Sequence, residues 1–373
     1  MSSLYIHIPF CRQACHYCNF HFSTTLTYMD DLIRAITKEI FLRKDFLKTK
    51  ELSSVYFGGG TPSMLKGEHL EILWERITKL FILKKNAEIT LEVNPDDIDS
   101  DTISNWKIFP FNRVSIGIQS FEDEILKYLN RIHNSERAVY GFNLLRDAGF
   151  DNINVDLIYG IPVQTENQWH NTLEKALRLN PEHLSAYCLT LEDKTALSAF
   201  IDKGKSPRIS EESGAVHFEW LMFEMRKHGF THYEISNFCK PGFESRHNLS
   251  YWTGEEYLGV GPGAHSHKKN IREWVIPHNV NYIKSLSDNI LPLESETLTN
   301  ENLLAEYILL CLRTSEGCSL SYLKKKFNKD LLKDKEKQIA DCVEKKFVVI
   351  SDNKIILTDR GKLVADKIAL ELL

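Results

Sequence analysis

The sequence predicts an α/β fold, a partial (β/α)6 barrel followed by a C-terminal winged-helix-like α+β module. Three observations lead there. From residue 3 to about 190, short β-rich runs alternate with longer amphipathic ones, the order left by repeated strand and helix units around a parallel sheet. Six such units occur, fewer than the eight that close a full barrel. Beyond residue 300 the order changes to an apolar helix, a Lys-rich helical stretch and two short strands around a turn.

The strands are expected at LYIHI (4–8), SVYF (54–57), EITLEV (88–93), RVSIGI (113–118), NINVDLI (152–158) and HLSAYCL (183–189). Between them the apolar period is helical: in YMDDLIRAITKEIFLRK (28–44), Leu32, Ile33, Ile36 and Ile40 fall on one face. In such folds the ligand site lies at the carboxyl ends of the strands, so those ends should be polar or glycine-rich. Strand one runs into a cysteine loop and strand two into GGGTP (58–62). Strand three carries Glu92 before Asn-Pro, strand four ends at Gln119, and strand five holds Asp156 before YGIP. Turn chemistry explains the glycines. It does not explain a carboxylate or amide at successive apolar strand ends.

A helix at about 210–228 leads into HYEISNFCKPGFESRHNLSYWTGEEYLGVGPGAHSH, an aromatic, His- and Gly-rich stretch that no period fits and that reads as loop. The apolar helix NLLAEYILLCLR and the two strands of FVVISDNKIILTDRG come later. The expected division is a barrel over 1–205, a barrel extension over 206–295 and the winged-helix-like module over 296–373.

With 373 residues, 43% hydrophobic and 26% charged, the chain has room for one large core and an appended domain. A net charge of -5 supplies no basic field for nucleic acid or an anionic membrane, so no nucleic-acid partner is expected. MSSLYIHIPF lacks the charged and apolar regions of a signal peptide, and no run of eighteen uncharged apolar residues occurs, so a soluble cytoplasmic protein is expected. Five of the eight cysteines, Cys188, Cys239, Cys311, Cys318 and Cys342, are scattered among apolar neighbours and read as reduced core residues.

The other three, Cys11, Cys15 and Cys18, crowd into CRQACHYC with no fourth beside them. This C-x3-C-x2-C spacing suits a [4Fe-4S] cluster with one iron open to a substrate or cofactor. Tetrahedral zinc completed by His16 or His21 is the alternative, and spacing alone leaves the two close. The surroundings favour the cluster, because a zinc site needs neither a glycine-rich turn nor polar strand ends across a sheet.

The triplet, with Tyr17 before its last cysteine, resembles the signature of radical S-adenosylmethionine (SAM) enzymes. LYIHIPFC, YFGGGTPS, LEVNPD, SIGIQSF, LNRIH and DLIYGIP are similar in order and spacing to the oxygen-independent coproporphyrinogen III oxidase family, across nearly the whole chain. The resemblance implies a radical-SAM barrel in which Cys11, Cys15 and Cys18 hold the cluster and SAM chelates the open iron through its amine and carboxylate. It places Gly59, Gly60 and Thr61 along the methionyl part, where missing side chains permit close approach. Glu92, Gln119, Arg131 and Asp156 match the polar positions around SAM, and Tyr5 and Tyr17 the aromatic ones. Structural roles compete at two of these: Arg131 as a surface helix-end residue and Asp156 as a helix cap.

Two departures point to the haem-chaperone (HemW) branch of that family. The oxidases carry a further cysteine where this chain has Phe20, and a longer extension ahead of the motif, whereas ten residues precede Cys11 here. RHNLSYW (246–252) matches that branch's HN-x-x-YW motif, implying that His247, Asn248, Tyr251 and Trp252 contact haem. Imidazole ligates haem iron and aromatic rings cover a porphyrin, while the competing role for His247 is a hydrogen-bonded brace under an aromatic loop. GVGPGA (259–264) invites a dinucleotide reading, but no apolar strand is expected before it and Gly-Pro-Gly opens a helix poorly, so it reads as a tight turn shaping the barrel mouth.

The function expected is therefore that of a haem chaperone carrying a [4Fe-4S] cluster and SAM, delivering haem to acceptor haemoproteins, a transient membrane-protein acceptor among them, as a monomer or cluster-dependent dimer. The electron donor is not assigned. The alternative is radical oxidative decarboxylation of coproporphyrinogen III to protoporphyrinogen IX. A nucleic-acid-binding regulator is a third reading, resting only on the Lys-rich C-terminal helices, whose interleaved acids look like a solvated face.

Overall fold

The computed structural model describes residues 2–373. Its core is a twelve-stranded sheet in the order β12-β11-β10-β9-β1-β2-β3-β4-β5-β6-β8-β7. The strands are β1 (Ser2–Ile8), β2 (Glu51–Gly59), β3 (Ile82–Val93), β4 (Arg113–Gln119), β5 (Ile153–Tyr159), β6 (His183–Cys188), β7 (Thr231–Glu234), β8 (Asn237–Cys239), β9 (Glu256–Val260), β10 (His265–Lys268), β11 (Ile271–Val275) and β12 (Leu293–Thr297). β1 to β6 pair in parallel in sequence order. They are the six expected strands, alternating with helices as repeated βα units require.

The flanks are antiparallel on one side and mixed on the other. β8 and β7 extend β6 in antiparallel fashion. β9 joins β1 in parallel, pairing Leu4 with Leu258 and Ile6 with Val260, and β10 to β12 continue antiparallel from it. β9 corrects one expectation. A strand does precede GVGPGA, although Gly and Glu within EYLGV hide it from a hydropathy reading. After the turn the chain enters another strand, β10, rather than a nucleotide-binding helix.

The strands alternate instead of running apolar throughout. Leu4, Ile6, Ile8, Val55, Phe57, Leu91, Val93, Val114 and Ile116 join Leu32, Ile33, Ile36 and Ile40 of the Met29–Leu42 helix in one buried core. Their neighbours on the other face are polar and bond across strands: Ser54 to Ser3, Tyr56 to Glu92, Ser115 to Asp156, and Asn154 to both Ser115 and His183. Parallel sheets buried on both faces are ordinarily apolar on both. The polar inner face therefore runs the length of the barrel, farther than the strand ends alone suggested.

One correction concerns 246–252. This stretch is a helix, Arg246–Trp252, not a loop, capped by Ser245, whose Oγ accepts from Asn248 N. It packs on the inner face, and buried Glu88 of β3 accepts from Arg246 N at 2.9 Å, His247 N at 3.1 Å and Ser245 Oγ at 3.2 Å. A helix this short is held by tertiary bonds and its cap, not by propensity.

The C-terminal module has its own core, running from Ile308 to Leu372, and a small antiparallel sheet. Its strands are β13 (Cys318–Ser319), β14 (Val348–Ser351) and β15 (Lys354–Leu357), with helices Asn300–Leu312, Leu320–Phe327 and Glu336–Glu344 around them. The Arg226–Asp359 ion pair and a bridge between Glu234 and Thr314 tie it to the barrel.

Candidate functional site

The cysteine loop leaves β1 and returns beside it: Cys11 N donates to Ser23 O and Ser23 N to Pro9 O. His16 is strapped between Leu129 O and Leu197 N by its backbone. All three loop thiols are free and partly buried. Burial pushes the Cys18 thiol up to about 11, with the neighbouring Cys15 and Cys11 sulfurs adding to it and Arg131 opposing. A coordinated metal reverses that cost by holding the thiolate.

Arg131 and Thr61 close a ring around the loop. Arg131 Nη1 points at Cys15 Sγ at 3.4 Å, and its Nη2 donates to Asn94 Oδ1 and Gly117 O at 2.7 Å each. Asn94 Nδ2 donates to Thr61 Oγ1, which in turn faces Cys11 Sγ at 3.6 Å. Arg131 is thus an inward-pointing residue, not a surface helix end. Sequence reasoning misses Asn94, whose only signal is its place in the LEVNPD segment.

Glu92 lies below this ring. Tyr56 O–H donates to its Oε1 at 2.7 Å and Gly59 N to its Oε2 at 3.0 Å. Burial, with the Asp156 charge nearby, raises its pKa to about 7. Asp156 sits mid-strand and accepts from Ser115 Oγ at 2.9 Å and Asn154 Nδ2 at 2.7 Å, so it caps no helix. Gln119 ends β4 at a bulge with a left-handed φ of 68°, a conformation that a non-glycine residue holds only under constraint. A Cβ on Gly117 would stand 3.1 Å from Gln119 Nε2 and 3.6 Å from Arg131 Nη2.

The glycine turn is read differently in three dimensions. Gly59 has φ +113° and a Cβ there would stand 2.6 Å from the His7 ring; one on Gly60 would stand 2.6 Å from Phe10 O. These glycines make room for the chain's own β1 and its loop. Tyr5 O–H lies 3.1 Å from His7 Nδ1, and Tyr17 packs partly buried against Ile125 and Leu129.

The residues present fit a cluster and SAM by donor chemistry. Three free thiols share one loop, and Glu92 is a partly buried acid with hydrogen-bond donors but no ion-pair partner among the described residues. His16 Nδ1 donates to Tyr128 O and His21 Nε2 to Asn279 Oδ1, one nitrogen of each ring. Among the described residues no three His, Cys, Asp or Glu side chains are placed to share one metal ion. A cluster takes one thiolate per iron, and its ligands stand farther apart than those of a lone ion.

The HN-x-x-YW residues lie at another level. His247 is 1% exposed and bonds to Ser54, five residues down β2 from Gly59, roughly 16 Å of strand. Ser54 Oγ, 2.9 Å from His247 Nδ1, gives its own hydrogen to Ser3 Oγ, so Nδ1 donates. Nε2 then accepts from Tyr251 O–H at 2.9 Å. The ring stacks on Tyr56 at 4.8 Å, and burial followed by the Arg113 charge lowers its pKa to about 3. Asn248, Tyr251 and Trp252 are partly exposed, and Arg313 of the C-terminal module covers Trp252.

The radical SAM superfamily model matches residues 5–176, and that of the HemN C-terminal domain residues 298–364. The chain is 33% identical to the heme chaperone HemW of Bacillus subtilis (strain 168), over 99% of this chain and 98% of that one. It is 34% identical to the heme chaperone HemW of Lactococcus lactis subsp. lactis (strain IL1403), over 96% and 94%. The fold matches that of the coproporphyrinogen III oxidase (HemN) from Escherichia coli, a radical SAM enzyme, with a TM-score of 0.86 and 24% identity, over 100% of this chain and 89% of that one.

Proposed function

Since the chain belongs to the radical SAM superfamily and, within it, to the family of the heme chaperone HemW, we propose that it binds haem and passes it to haem-accepting proteins. The observation that carries this is similarity to HemW chaperones over the whole chain, C-terminal module included. The radical SAM family implies a [4Fe-4S] cluster and SAM, which supply one-electron chemistry when bound.

In this reading Cys11, Cys15 and Cys18 ligate the cluster. Arg131, Asn94 and Thr61 hold the loop and offset thiolate charge. Glu92 supplies the carboxylate partner for a ligand ammonium or ribose hydroxyl, with its Tyr56 and Gly59 bonds fixing the oxygens. Gln119, at its strained bend beside Gly117, and Asp156 complete the polar wall, and the backbone at Gly59, Gly60 and Thr61 borders the methionyl part. Tyr5 and Tyr17 exclude water. Asn248, Tyr251 and Trp252, on a helix against the inner face, border the haem, with His247 beneath them. The protein works in the cytoplasm as a monomer or a cluster-dependent dimer, with a membrane haemoprotein among its transient acceptors. No helix among the described residues is long and apolar enough to cross a membrane.

Coproporphyrinogen oxidation is the second reading, favoured by the HemN fold. Against it stands Phe20, 69% exposed beside Cys18, where the oxidases carry a further cysteine. Anaerobically reconstituted protein incubated with coproporphyrinogen III, SAM and reductant, and separately with haem, decides between them. The chaperone binds haem and leaves coproporphyrinogen unconverted; formation of protoporphyrinogen IX overturns it.

A further inference from the structure

The antiparallel extension continues the inner face of the barrel past the motif helix. Register sets Tyr257 of β9 opposite His267 of β10, His267 opposite Arg272 of β11, and His265 opposite Trp274. These side chains share one face, because directly opposed residues point the same way. The motif helix lies on that face, where Tyr251 meets Tyr257 edge-on at 4.6 Å. At the rim, the turn before His265 packs against the end of β1 and the cysteine loop: a Cβ on Gly261 would stand 2.4 Å from His7 O, and one on Gly263 3.1 Å from His21 Cβ. His265 emerges from this turn exposed to solvent.

Its ring is oriented but unused. Trp274 stacks on it at 6.2 Å with 28° between planes, and Trp274 Nε1 is anchored by Glu294 Oε2 at 2.8 Å. No described residue hydrogen-bonds the His265 ring nitrogens. Partial burial and Arg272 lower its pKa, which keeps a lone pair free at neutral pH. The neighbouring imidazoles differ. His7 is held by Tyr5 O–H and His21 O, and His278 accepts the helix-capping bond from Asn281 N. His247 is enclosed with both nitrogens taken.

Resting on the haem-binding reading above, the geometry points to His265 as the side chain that ligates haem iron, with Trp274 fixing its ring and His247 a positioning residue under the motif helix. An iron ligand needs an accessible nitrogen lone pair, which His265 has, and here the Trp274 ring, in place of the more usual hydrogen-bonded partner, sets the imidazole plane. The bond forms from an imidazole nitrogen to iron, displacing water, with no change of redox state. Trp252 and Tyr251 then line the side of the macrocycle nearer the barrel, with the motif keeping its contact role.

The test is haem titration of the full reconstituted protein, following affinity and the Soret band, for wild type, His265→Ala and His247→Ala. His265→Ala should weaken binding by more than about tenfold, a loss that outer-sphere substitutions alone reach at metal sites, and shift the Soret band. Added imidazole should restore the spectrum, and His265→Met should give a distinct one, neither of which a merely structural role produces. His247→Ala should lower the melting temperature with the spectrum intact. If wild type binds haem and His265→Ala leaves affinity and spectrum unchanged, the histidine is a solvated surface residue and the inference fails while the chaperone reading stands. If His247→Ala alone abolishes the spectrum, the ligand is the motif histidine and the inference is wrong. If wild type binds no haem, both fall together.

Discussion

The mouth of the barrel and its floor are built from similar residues and behave oppositely. At the mouth, Cys11, Cys15, Cys18, Glu92 and Arg131 are partly open, and burial raises the pKa values of Cys11, Cys18 and Glu92 by penalising their charged forms. At the floor, Glu88, Ser54, Ser3 and His247 are buried and answer one another's hydrogen bonds. Buried polar groups that satisfy one another stabilise the fold, whereas the carboxyl and thiols of the mouth have hydrogen-bond partners but remain costly to ionise. The same inner face thus divides into a part whose polar groups support the fold and a part to which the proposed function assigns binding.

The sharpest way to break this contrast is Cys15→Ala. Iron content should fall to that of the cluster-free chain, while circular dichroism stays close to wild type, because the loop lies outside the buried core. Loss of fold together with iron would make the mouth structural too. Next comes Glu88→Ala, which leaves two backbone N–H groups and Ser245 without their acceptor; denaturant unfolding should show a loss of about 3–5 kcal/mol. A loss comparable to an ordinary surface substitution would show that the floor is not self-supporting.

The smallest effect concerns pH. Glu92 titrates near 7 in the folded chain against an ordinary value of 4.5. The folded state therefore binds more protons between those values, and stability should decline as pH rises from 4.5 toward 7, then level off. Glu92→Gln should flatten that decline, by no more than about 3 kcal/mol. SAM should flatten it as well if its ammonium meets the carboxylate. An unchanged slope in Glu92→Gln would place the proton uptake elsewhere.

Six strands were legible because their β-branched and aromatic runs stand between helical periods. Their ends were less so: β3 starts at Ile82 rather than 88, since exposed Lys84 and Lys85 lie in an irregularity that interrupts both the hydropathy and the pairing with β2 before it resumes at Glu88. The gathering of three thiols on one loop was legible because cysteine spacing is local. The lower polar face was not, because Ser54, Tyr56, Ser115 and Asn154 look unremarkable singly and become a network only when neighbouring strands align. The Arg246–Trp252 helix was hidden for a similar reason, as the carboxylate that holds it lies 158 residues away in the chain. Gly59 and Gly60 suggest room for a ligand in the sequence, yet their space is filled by His7 and Phe10.

The pairing of β1 with β9 has a consequence for synthesis. β1 gains β2 early, but its other edge stays open until residues 256–260 leave the ribosome. At ordinary elongation rates of about 5–20 residues per second, that wait lasts roughly 10–50 s. During it the first strand is a template for unwanted partners, and the cysteine loop hangs from a stave fixed on one side only. High contact order at this seam sets the order of events: the late strand must dock before the rim is rigid, so the cysteine loop reaches its final setting only after most of the barrel has been made.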